Sequence, residues 1–155
     1  MPESAELAFR WTRLQDMGGP EVHALLMARA QVFVVEQQCP YLDPDPLDVD
    51  AWHLLAHAGD ALVGCVRAVP PGLKYDEPSI GRVLVVEAFR GRGLAVALMR
   101  EAIAGTQARW PGQGIRISAQ AYLLRFYATL GFEQVGDAYD EDGIPHIEML
   151  RPALP

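Results

Sequence analysis

The sequence predicts an α/β fold: a mixed central β-sheet flanked by helices. Three observations predict it. Strand-type and helix-type apolar patterns alternate along the chain, and hairpin signals near both ends require strands of mixed direction. Between them, the β-branched run Val83, Leu84, Val85, Val86 passes through a glycine-rich turn into a long apolar helix. At 155 residues the chain is expected to form one domain over 1–155 and to bury about two-thirds of its unfolded surface, so neither disulfide nor metal is needed.

Residues 7–14 alternate loosely (Leu7, Phe9, Trp11) and predict an edge strand, ended by Gly18-Gly19-Pro20. Pro20 and Glu21 suit a helix start, and Val22, Leu25, Leu26, Ala30 and Phe33 carry helical spacing to about Gln37. A proline-rich loop with Asp43, Asp45, Asp48 and Asp50 follows. Residues 52–57 and 61–69 form a predicted hairpin around Gly59-Asp60, and residues 80–87 a buried strand. Leu94, Leu98, Met99, Ala102 and Ile103 make the core stripe of the central helix, which must end before Pro111-Gly112. Residues 115–119 are a strand and 122–130 a helix stopped by Gly131. Residues 132–139 and 146–150 are two closing strands.

The strand-to-helix turn at residues 87–96 is an anion site in outline. Main-chain N–H groups of a first helical turn lack partners, glycine allows close approach, and the macrodipole favours negative charge. Arg90 and Arg92 add positive charge there. A P-loop would need Lys-Ser or Lys-Thr where Leu94-Ala95 stands, and a dinucleotide fingerprint needs a third glycine. The remaining pattern is Arg/Gln-x-x-Gly-x-Gly/Ala, met by Arg90, Gly93 and Ala95.

That stretch resembles the acetyl-CoA motif of the Gcn5-related N-acetyltransferases, the GNAT superfamily. Phe126-Tyr127-Ala128-Thr129-Leu130-Gly131-Phe132 resembles its second signature, in matching order and spacing. VFVVEQQCPY, SAQAYLLRFY and YDEDGIPHIEM are similar to the ElaA-like subgroup, so the resemblance covers most of the chain. It implies central strands that splay apart to admit the pantetheine arm of acetyl-CoA. It also implies that Val83, Leu84 and Val85 line that arm with main-chain groups. Arg90, Gly91, Arg92, Gly93, Leu94, Ala95 and Val96 would wrap the pyrophosphate. Gln120 stands where many relatives carry a cofactor-contacting asparagine.

Acetyl transfer to an amine needs a neutral nucleophile, stabilisation of the oxyanion and a proton for the leaving thiolate, and no metal. By resemblance Tyr127 is the general acid; without that role it is a core aromatic. Glu36 is a charged helix end or a partner of Arg29, or else a carboxylate facing the acceptor cleft and the first candidate base. His146 is the second candidate base, since histidine titrates near neutrality. The expected acceptor is a small amine or an exposed amino group, cationic if the aspartates of residues 43–50 form an acidic wall rather than a solvated loop. The alternative function is a non-catalytic acyl-CoA-binding or regulatory domain of the same fold.

The totals exclude other classes. A net charge of −7 opposes a nucleic-acid binder, and no apolar run is long enough for a membrane span, which makes the cytoplasm the expected compartment. No leader peptide is evident at the N-terminus. Cys39 and Cys65 lack CxxC spacing and are expected as free thiols. An EF-hand begun at Asp43 fails, with Asp48 for glycine and Leu54 for glutamate. His53 and His57 share a strand parity without a third ligand, which predicts surface or partly packed side chains. Monomer and homodimer both remain open.

Overall fold

The computed structural model describes residues 6–153; the first residues, on which the absence of a leader was read, lie outside that range. An eight-stranded mixed sheet runs in the order β1-β2-β3-β4-β5-β8-β6, with β7 also pairing β8. The strands are β1 (Leu7–Arg13), β2 (Trp52–Ala58), β3 (Ala61–Val69), β4 (Ser79–Val85), β5 (Ile115–Gln120), β6 (Glu133–Gln134), β7 (Tyr139–Glu141) and β8 (Ile144–Arg151). Helices α1 (Gly19–Arg29), α2 (Leu47–Asp50), α3 (Leu94–Arg109) and α4 (Leu124–Thr129) complete the fold. Neighbours β1 to β4 are antiparallel, β4 and β5 parallel, and β5 and β8 antiparallel.

The two faces of the sheet follow from strand parity. Leu54 and Ala56 of β2 join Leu98, Met99 and Ala102 of α3 in the larger core, while Leu55 and Cys65 face Leu25 of α1. Burial pushes the Cys65 thiol up to about 12, so it behaves as a small hydrophobe. The edge strand β1 is anchored on α3 by Trp11. A β-carbon on Gly105 would fall 2.3 Å from that ring, and Trp11 Nε1 donates to Glu101 at 3.2 Å.

Three predictions need correction. The first helix does continue to Glu36, but from Ala30 onward as a π-helix, whose wider turn relieves crowding in the β-branched run Val32, Val34, Val35. Residues 132–139 are not one strand: Gly136 at φ +90° breaks the run, leaving β6 and β7 as separate short strands. His53 is not a surface or partly packed side chain but fully buried, with Nε2 2.9 Å from the Asp48 carbonyl oxygen, while His57 beyond a bulge is part-buried as expected.

Candidate active site

Strands β4 and β5 pair at one position, Ser79 with Arg116. Arg116 clasps this end: its N–H donates to Pro78 O at 3.0 Å, and its guanidinium to Glu77 and Glu148 at 2.8 Å. Beyond the clasp no ladder holds the strands together. A cavity of about 810 Å³ opens between them, bordered by Val83, Leu84 and Val85 on one side and Ile117, Ser118 and Gln120 on the other. The β3–β4 register also slips between Cys65 and Arg67, opposite Arg82, whose φ of +50° is unusual for a residue with a β-carbon.

At the donor end, Gly93 caps α3 at φ +77°, and a β-carbon there would meet nothing within 4 Å. The first main-chain bond of α3 is Ala97 N–H to Gly93 O at 3.3 Å, so the N–H groups of Leu94, Ala95 and Val96 precede it. No side chain caps them. Uncapped donors facing open space fit a pyrophosphate. Arg92 lies over the Phe89 ring, 4.9 Å from its centroid. Arg90 folds back across the cavity: Nε donates to Val85 O at 2.9 Å and Nη2 to Glu36 at 2.7 Å.

Tyr127 projects from α4 into the same cavity and is 8% exposed, set edge-on between Phe126 and Phe132 at 5.2 and 5.9 Å. Burial, with a smaller contribution from Tyr122, raises its phenol to about 12. It therefore keeps its proton throughout the neutral range. Gln120 donates to Gln37 at 3.3 Å, joining β5 to the end of the π-helix. His146 turns Nδ1 to the Ile144 carbonyl oxygen at 2.7 Å and Nε2 to Glu141 at 3.1 Å. Both ring nitrogens face acceptors, which leaves no lone pair directed at the cavity in this arrangement.

Residues 31–151 match the family described as Acetyltransferase (GNAT) domain. The chain belongs to the GNAT family. It is 44% identical to a UPF0039 protein of Synechocystis over 146 residues, covering 94% of this chain and 95% of that protein. It is 40% identical to ElaA of Escherichia coli over 136 residues, covering 86% and 89%. In structure it matches an acyl-CoA N-acyltransferase of Pseudomonas aeruginosa with a TM-score of 0.90 at 38% identity, covering 94% of this chain and 99% of that one. The E. coli ElaA crystal structure matches with 0.88 at 36%, with the same coverage. GNAT membership supports an acyltransferase with an acyl-CoA donor.

Several predicted site residues thus share one GNAT cavity: Glu36, Val83, Leu84, Val85, Arg90, Ala95, Gln120, Tyr127 and His146 all line it. The expected acidic wall is corrected. Asp43 and Asp48 are buried, and Arg29 bonds both, at 2.8 and 2.7 Å. Arg67 bonds Asp45 at 2.7 Å and Asp48 at 3.1 Å, while Arg82 lies 2.9 Å from Asp43. Asp43, Asp45 and Asp48 are neither a solvated loop nor a free cation trap, and Asp50 stays exposed outside the network. Glu36 likewise pairs with Arg90 and not with Arg29. Arg67, Arg82, Lys74 and Glu141 also line the cavity and were missed. A signal existed for two of them: Arg67 and Arg82 interrupt otherwise apolar strands, where a charge must find a partner.

Proposed function

We propose that this protein is an acetyl-CoA-dependent N-acetyltransferase that moves the acetyl group to a primary amine by direct attack, with Tyr127 as general acid. The observation that carries this is geometric: Tyr127 of α4 lines the cavity between the splayed strands, opposite Val83, Leu84 and Val85 of β4. Attack of the amine nitrogen on the thioester carbonyl forms the C–N bond. Collapse breaks the C–S bond, the Tyr127 proton passes to the departing sulfur, and the proton shed by the new amide nitrogen restores the phenol. Main-chain groups of Val83, Leu84 and Val85 hold the pantetheine arm.

An alkyl ammonium, with a pKa near 10.4, must first lose a proton. Glu36 is the better placed base, because His146 would have to leave Glu141 to accept one. The donor's pyrophosphate is the stronger partner for Arg90 and draws it off Glu36, so donor binding both fills the pantetheine channel and frees the base. Amine-dependent thiol release from acetyl-CoA, measured across a panel of primary amines, tests the proposal. Amine-dependent release is expected; tight acetyl-CoA binding without turnover for any amine would make the protein an acyl-CoA-binding domain instead.

A further inference from the structure

The wall of the cavity carries an amine of its own. Lys74 is the chain's only lysine, and it lines the same space as Val83, Leu84, Val85 and Tyr127. Its place there follows from the two ends of the splay. The uncapped turn into α3 comes after Val85 at the open end, while Ser79 and Arg116 pair at the closed end. A donor with its pyrophosphate at the turn runs its pantetheine arm back along Val85, Leu84 and Val83, and so carries the thioester toward the closed end. Lys74 stands on the loop that enters β4 at that end. The loop is fixed in place. Gly72 N–H donates to Tyr75 O at 2.7 Å, and the Tyr75 ring centroid lies 5.9 Å from the Arg116 guanidinium and 5.6 Å from the Lys74 ammonium.

A lysine ammonium becomes a nucleophile only after losing a proton, and the surroundings favour that loss. The residue as a whole is exposed, but its ammonium is crowded, and the lost hydration lowers its pKa. Arg67 and Arg82 act in the same direction, whereas Glu141, the leading charge on Lys74, and Asp45 oppose them. Glu141 also lines the cavity; its side chain is 46% exposed and sits 3.1 Å from His146 Nε2. The amine thus has beside it a carboxylate open to water, which can take up a proton and release it.

We propose that Lys74 is a self-acetylation site, its amine attacking the thioester of a donor bound in the same chain. This rests on the N-acetyltransferase reading and adds an internal acceptor to it. The ammonium first gives one proton to Glu141 and so to solvent. The neutral nitrogen then forms the C–N bond, the C–S bond breaks, Tyr127 protonates the sulfur, and the proton shed by the new amide nitrogen restores the phenol. The products are free CoA and an uncharged amide at Lys74. The modified wall keeps Glu141 and loses the cation that it attracts.

The test incubates the full chain, mapped beforehand as unmodified at Lys74, with isotopically labelled acetyl-CoA and follows it by intact mass and peptide mapping. One labelled acetyl group should appear on Lys74, and K74R should lose it. Because amine and thioester share one cavity, the first-order rate constant should stay constant over an about tenfold range of protein concentration. Excess CoA, which fills the donor site without an acyl group, should suppress the labelling. Labelling that persists in excess CoA, that proceeds equally in the urea-unfolded chain, or whose rate constant rises with protein concentration overturns the proposal. No label on Lys74 while added amines still release thiol overturns self-acetylation alone. Absence of both overturns the acetyltransferase reading with it.

Discussion

Two arginine groups in this molecule carry the same charge and do opposite work. Arg29, Arg67 and Arg82 meet Asp43, Asp45 and Asp48 behind the acceptor end of the cavity, where Arg29 is 1% exposed and Asp43 3%. Arg90 and Arg92 stand at the turn into α3, solvent-accessible and beside uncapped N–H groups. In the first group every charge is answered within the chain, so the network fixes a shape. In the second, the main-chain donors are uncapped and Arg90 holds only one part-exposed carboxylate, Glu36. Desolvation makes the difference: a buried charge must be paired, whereas an exposed one keeps its hydration until a ligand displaces it.

The largest expected effect breaks the buried group. Asp48→Ala leaves Arg29 and Arg67 short of their shared partner and should cost about 3–5 kcal/mol of stability, read by chemical denaturation. The same carboxylate makes stability acid-sensitive. Burial raises its pKa, but the hydrogen bond and charge of Arg29, the Asp45 N–H and Arg67 outweigh burial and bring it from 3.8 to about 2. Because the folded value is the lower one, this contribution is complete above about pH 4 and is lost as pH falls toward 2. Asp48→Asn should flatten that part of the stability profile.

Next comes the open group. If the turn holds the donor's phosphates as proposed, Gly93→Asp sets a carboxylate against them, at a φ of +77° that a side chain rarely adopts, and should weaken CoA binding by about 100-fold or more by calorimetry. Unchanged affinity would remove the turn from the donor site. Tyr127→Phe keeps the ring packed between Phe126 and Phe132 and removes the hydroxyl. Turnover should fall about 100-fold with donor affinity nearly constant, and a wild-type rate where chemistry is limiting would return Tyr127 to a packing role.

The smallest effect tests the one link that sets a carboxylate against the open group. Glu36→Gln releases Arg90 from a pair that is 24% and 44% exposed, so donor affinity should rise only about two- to fivefold, more at low salt. If Glu36 is also the base, kcat/KM should fall at the same time, most steeply at low pH. A gain in affinity without any change in the pH profile would leave Glu36 as a partner of Arg90 only.

Local patterns carried most of the fold. Hydrophobic period placed β2, β3, β4, α3 and β5 within a few residues of their observed bounds, because each buries a face whose spacing is written in consecutive residues. The turn into α3 was legible for the same reason: strand, glycine turn and helix start are contiguous, and the uncapped donors belong to the main chain. Tyr127 lay within a contiguous signature as well. The acceptor side was not legible. Asp43, Asp45 and Asp48 look like a solvated run until Arg29, Arg67 and Arg82, from α1, β3 and β4, are brought against them. The pairing of Glu36 with Arg90 also joins distant segments. Whether a charge is spent inside the protein or held for a ligand depends on what lies within about 4 Å of it in space, where the Coulomb energy outweighs hydration only if water is excluded. The sequence determined by itself the α/β order and the glycine turn that leaves the first N–H groups of α3 uncapped; only the tertiary structure decided which charges are paired inside the protein.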